Sequence, residues 1–67
     1  MNGQRALEEE VLRLAEAVFE SRGVALRWMT SPNETLGDIA PAMLCRTAVG
    51  ARQVRRVLNS LEWGGVV

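Results

Sequence analysis

The sequence contains no histidine, no lysine and a single cysteine, Cys45. Zinc needs about four ligands, usually Cys or His, so a zinc centre is not expected. Without an imidazole, the commonest general base and the usual partner of a nucleophilic Ser or Cys are also absent. One cysteine cannot form an intrachain disulfide, and a lone thiol fits a reducing compartment. No segment approaches the roughly 20 apolar residues of a membrane span. Near the N-terminus Arg5 leads into Glu8, Glu9 and Glu10 rather than an apolar run, so no secretory signal is read there. The expected location is cytoplasmic. No Gly-rich phosphate loop, internal repeat, low-complexity tract or alternating strand pattern occurs.

What remains is a chain of 67 residues, 48% of them hydrophobic. That length makes one domain, and its apolar content is far from the signature of disorder. So short a chain buries a small core, and association with itself or a partner is the obvious further source of stability. Net charge is zero, but it is unevenly spread. Glu8, Glu9, Glu10, Glu16 and Glu20 make the front half acidic. Arg46, Arg52, Arg55 and Arg56 make the back half basic.

Met1 to Gln4 is expected to fray. From Leu7, apolar residues recur at Leu7, Val11, Leu14, Ala15 and Val18, one face of an α-helix widened by Leu12 and Phe19. The glutamates are expected in its first turn, where the helix dipole favours them. This helix should end near Glu20. Ser21 reads as the N-cap of a short second helix with Val24, Ala25, Trp28 and Met29 on its apolar side. Pro32 disfavours helical geometry at Ser31 and stops it by about Thr30. Trp28 to Pro41 is then a shaped connector. Asn33 should bond its own backbone in a turn, Leu36 should tuck in as an anchor, and Gly37 suits a positive φ. Pro41 opens a third helical piece, Pro41 to Cys45, behind Ala40, which has no capping group. Thr47 reads as the N-cap of the last helix, with Ala51, Val54, Leu58 and Leu61 inward, Arg52, Arg55, Arg56 and Asn59 on the other side, and Gly64-Gly65 as its stop. The fold class is all-α, with about four helices, two long and two short.

Candidate chemistry is sparse. Cys45 beside Arg46 has no imidazole partner and lies on an apolar run, so it reads as a small core residue. The glutamates of the first helix read as a solvated face. No catalytic or metal-binding residue is identified, no cofactor is implied, and an enzyme is not expected. Arg52, Arg55 and Arg56 form the wet face that the last helix needs, where they are simply solvated or meet a protein or phosphates. Trp28 is expected in the core. Trp63, at the end of the last helix before the apolar Val66-Val67, either covers the core or meets a partner.

One run of residues carries a family resemblance. Phe19, Ala25, Trp28-Met29, Pro32-Asn33, Leu36-Gly37, Pro41, Leu44, Thr47, Gly50, Val54, Leu58, Leu61-Glu62 and Gly64 fall in an order and spacing that closely resembles the Xre/MbcA/ParS toxin-binding domain, the C-terminal domain of bacterial antitoxins. The resemblance covers about residues 15 to 65. It implies a partner: a toxin of the RES type, similar to an ADP-ribosyltransferase, that consumes NAD and is neutralised when the antitoxin's last helix and tail cover its cleft. Carried over by position, the partner-binding residues are Arg52, Arg55, Arg56, Asn59, Glu62, Trp63, Gly64, Gly65, Val66 and Val67. Of these, the arginines are named from helix geometry alone. Trp28, Pro32, Asn33, Leu36, Gly37 and Pro41 are the structural signature and would be scaffold.

Three positions depart from the family pattern: Met29 for leucine, Asp38 where a second glycine is common, and Ala40 where Ser or Thr usually caps. Antitoxins of this kind also carry an upstream helix-turn-helix, whereas about fourteen residues precede the matching region here. The expectation is a toxin-binding domain without its DNA-binding domain. The alternative is a small helical nucleic-acid-binding, regulatory or oligomerisation domain using the arginine face. A homo-oligomer is compatible with either.

Overall fold

The computed structural model describes residues 3–63 of the chain. Its helices, in chain order, are α1 (Gly3–Phe19), α2 (Arg22–Thr30), α3 (Pro41–Leu44) and α4 (Ala48–Glu62), with a 3-10 turn at Glu34–Leu36 between α2 and α3. The fold is all-α, as the 3.6-residue periodicity requires. The only extended pairing among the described residues is an isolated bridge between Asn33 and Ile39. The core is a small cluster of Val11 and Ala15 from α1, Ala25 and Met29 from α2, Cys45 after α3, and Ala51, Val54 and Leu58 from α4.

Local chemistry sets the boundaries. α1 ends because Glu20 turns to φ 55, the left-handed conformation that closes many helices. Ser21 follows in extended geometry and its Oγ accepts from the Val24 N–H at 3.2 Å, capping α2. α2 stops before Pro32; the Ser31 hydroxyl donates to the Arg27 carbonyl at 2.7 Å, satisfying an orphan acceptor of its last turn. Thr47 caps α4, its Oγ1 accepting from Gly50 N–H at 3.0 Å. α3 begins at Pro41 behind an Ala40 that makes no side-chain cap, as its methyl group dictates.

The connector after α2 is pinned rather than loose. The Asn33 side chain accepts from Thr35 N–H at 2.9 Å, and the Asn33 carbonyl accepts from both Leu36 and Asp38 N–H groups. Gly37 and Asp38 are consecutive left-handed residues, φ 75 and φ 64. Aspartate tolerates this region better than most residues, at a cost of about 1 kcal/mol relative to glycine. That cost gives a backbone reason for the glycine expected at position 38.

Several expectations need correction. α1 begins at Gly3, inside the segment expected to fray, so Glu8, Glu9 and Glu10 lie in its second and third turns and no acidic residue sits in its first. α3 ends at Leu44, not Cys45. Trp28 is half-buried rather than buried: it packs on the edge of the core and meets Phe19, ring centroids 5.7 Å apart and tilted by 49°. Val24 is 43% exposed and Leu61 is 47% exposed. Both continue an apolar face past the point where a neighbouring helix covers it. The stop expected at Gly64-Gly65 lies outside the described residues; α4 ends at Glu62, with the Trp63 N–H donating to the Asn59 carbonyl.

Gly50 was visible in the sequence only as a family position. It is buried against the end of α3, and a Cβ there would collide with the Leu44 backbone carbonyl. Helix α4 therefore passes under α3 at backbone contact distance.

Gly50→Ala should cost at least about 1–3 kcal/mol, because the collision is with backbone and the helices must separate. Leu58, with no exposed surface, should cost about 2–5 kcal/mol as Leu58→Ala. Denaturant midpoints report both, and a Leu58→Ala protein that unfolds with the parent would refute the buried face of α4. Cys45 is fully buried, and desolvation, with Glu8 adding to it, pushes its thiol up to about 11. The unfolded thiol releases its proton near pH 9 and the folded one near 11, so stability should be intact below pH 9 and fall between these values. The pH-dependence of the melting temperature, compared with that of Cys45→Ala, isolates this contribution. Native Cys45 should also resist alkylation at pH 8 until the chain is unfolded.

Candidate partner-binding site

Helix α4 has two sides. Gly50, Ala51, Val54 and Leu58 face inward, and Arg52, Gln53, Arg55, Arg56, Asn59 and Ser60 face water. At 100° per residue, Val49, Arg52, Arg56 and Trp63 fall on one side of the exposed arc, with Asn59 at its edge. Arg55 and Glu62 fall toward the other edge, and Arg55 lies near enough to Cys45 to act on its thiol. The three arginines of α4 thus divide, two on the Trp63 side and one away from it.

None of these arginines has an ion pair among the described residues; the pair present is Arg22 with Glu16, 2.6 Å apart at the α1–α2 junction. Arg52, Arg55 and Arg56 are free charges on a helix segment that carries no acid before Glu62. Trp63 is 75% exposed, which decides between the two placements open for it: it does not cover the core. Leu61 and Val49, at 47% and 63% exposure, leave apolar surface at both ends of the same helix. Glu62 and Asn59 are exposed as well. Gly64, Gly65, Val66 and Val67, expected to act with Trp63, lie outside the described residues.

The connector also borders a groove beside α4. Thr35 and Leu36 of the 3-10 turn face Gln53, Arg56 and Val57 of α4 across a surface groove of about 390 Å³. Sequence periodicity singled out Arg56 but missed Thr35, Gln53 and Val57. The position of Gln53, three residues before Arg56 and four after Val49, was the available signal. Trp28, Pro32, Asn33, Gly37 and Pro41 shape the turn: Pro41 is buried, Trp28 half-buried, and Gly37 holds the positive φ.

The one thiol is buried and disfavoured as thiolate, and no group of three or more metal-binding side chains occurs among the described residues. No helix among them is long and apolar enough to cross a membrane. The exposed features at α4 are a tryptophan, arginines with no ion pair among the described residues, and an adjoining groove.

Comparison with known proteins agrees with the fold's signature. An antitoxin Xre of Pseudomonas putida strain KT2440 is 33% identical over 54 residues, covering 81% of this chain and 34% of its own. The 6-hydroxy-3-succinoylpyridine 3-monooxygenase HspA of Pseudomonas putida strain S16 is 41% identical over 58 residues, covering 87% of this chain and 19% of its own. The chain therefore spans about a third and about a fifth of these two relatives. No solved structure matches. Residues 14–64 match the family described as the antitoxin Xre/MbcA/ParS C-terminal toxin-binding domain. With Trp28, Pro32-Asn33, Leu36-Gly37 and Gly50 each filling a structural role in that span, the chain belongs to the Xre/MbcA/ParS C-terminal toxin-binding domain family.

Proposed function

We propose that this domain is an antitoxin's binding module, and that it neutralises a RES-type, NAD-consuming toxin by laying the outer face of α4 and the C-terminal residues over the toxin's catalytic cleft. It acts by occlusion and performs no chemistry of its own. The observation that carries this reading is Trp63, 75% exposed at the end of a helix with unpaired arginines. Tryptophan and arginine are the residues most enriched at interface hot spots. Burying the exposed part of a tryptophan takes on the order of 150 Å² of largely apolar surface out of water, of which only the surplus over the ordering cost appears as affinity. Arginine adds forked, charge-assisted hydrogen bonds to carboxylates. The family match adds toxin binding as the expected use of such a face.

The free arginines also favour a second reading, nucleic-acid binding. It is separable, because phosphate contacts make affinity fall steeply with salt. The acidic α1 weakens it, with Glu9 and Glu10 exposed.

The test is co-expression with a RES-type toxin in cells whose growth the toxin arrests. The parent domain should restore growth and co-purify with the toxin. A chain truncated before Trp63 should fail to restore growth while melting like the parent, since Trp63 makes no part of the core. Trp63→Ala should weaken binding by at least about tenfold, as hot-spot truncations do. Full neutralisation by the truncated chain would overturn the occlusion mechanism. A salt-dependent DNA shift lost in the Arg52/Arg55/Arg56 triple alanine would favour the second reading.

A further inference from the structure

The groove beside α4 joins two observations, its chemistry and its setting. The first is its chemistry. Three different donors, the Arg56 guanidinium, the Gln53 amide and the Thr35 hydroxyl, line it together with the apolar Leu36 and Val57. Arg56 is exposed and makes no hydrogen bond or ion pair among the described residues. The second is its setting. Val49 and Trp63, 63% and 75% exposed, lie seven residues before and after Arg56 on the same side of the helix. Seven residues are two turns, about 10 Å, with a drift of only about 20°. The surface therefore reads apolar, cationic, apolar over about 21 Å.

We infer that this groove receives one helix of a partner protein, bearing a carboxylate near its middle and apolar side chains about 10 Å to either side. The carboxylate meets the fork of Arg56, with Gln53 and Thr35 donating to its remaining lone pairs. The flanking apolar groups cover Val49 and Trp63. The inference rests on the toxin-binding reading and extends the contact surface from the chain's end back to the 3-10 turn.

Charge decides the occupant. A second copy docking α4 against α4 about a two-fold axis would set Arg56 against Arg56, a like-charge contact that disfavours pairing. The outward face of α1 offers Arg5, Glu9, Glu10 and Arg13 with no large apolar side chain exposed. Helix α2, nine residues long, spans only about 13 Å. No helix among the described residues has the complementary pattern, whereas a partner's amphipathic helix can. A phosphate backbone matches Arg56 but not the apolar ends.

The experiment uses the full chain in complex with a co-expressed RES-type toxin, read by hydrogen exchange and by affinity. Exchange should slow together at residues 34–37 and across α4 when the complex forms. Arg56→Glu should raise Kd at least about tenfold, as reversing one partner of a desolvated charge pair does. Gln53→Trp, which fills the groove without touching Trp63, should also weaken binding. Both side chains are exposed, so both variants should keep the parent melting temperature. Parent affinity in Arg56→Glu, or protection confined to the residues after Ser60, would overturn the groove while leaving toxin binding intact. Absence of any complex would overturn the toxin-binding reading and the groove with it.

Discussion

The contact between Gly50 and the last carbonyl of α3 is the constraint on which the remaining structure depends. Only a residue without Cβ lets α4 pass under Leu44 at backbone distance. That approach is what lets α3 be a single turn, four residues long, followed at once by the Thr47 cap of α4. It also brings Pro41 and Cys45 into full burial beside Ala51 and Val54. A larger residue would lift α4 away, and with it the floor of the core. In a domain this small no other contact is available to compensate.

A second constraint lies in the turn between α2 and α3. Asn33 satisfies three backbone donors, one with its side chain and two with its carbonyl, and Gly37-Asp38 reverse the chain in left-handed conformation. These local bonds fix Leu36 against the core and present Thr35 toward α4. The turn is thus scaffold and surface at once. The same hydrogen bonds that close it also build one wall of the groove. A surface supported on one side by a pinned turn and on the other by a packed helix is pre-organised, and pre-organisation lowers the ordering cost of any association.

The exposed surface of α4 follows from what these constraints leave over. The inward faces of α1, α2 and α4 are consumed by eight buried residues. Arginines that make no ion pair among the described residues are left on α4, and a tryptophan outside the core cluster at its end. Free arginines contribute little to the stability of a monomer. Their favourable use is in a contact that desolvates them against carboxylates. Among the described residues no ion pair joins the acidic front half to the basic back half; the one pair, Arg22–Glu16, lies wholly within the front half.

Features governed by near neighbours were legible before the structure. Ser21 and Thr47 cap because a hydroxyl can reach the N–H three residues on, whatever surrounds it. Pro32 and Pro41 bound helices through their own rings, and the apolar periods of α1 and α4 orient Val11, Ala15, Val54 and Leu58 inward. The family signature belongs here too, since order and spacing are properties of the chain alone. What the sequence could not reveal depends on where one helix ends beside another. Periodicity assigned Leu61 and Val24 to buried faces, but burial needs a covering neighbour, and none reaches them. Trp63 was ambiguous for the same reason, and its exposure was decided by tertiary structure. The groove joining Thr35 to Gln53 and Arg56 brings together residues separated by eighteen or more positions, and only packing could make them adjacent. Local hydrogen-bonding chemistry and hydrophobic period were written in the sequence itself; contact between distant elements, and hence the shape of the exposed face of α4, was decided by the fold.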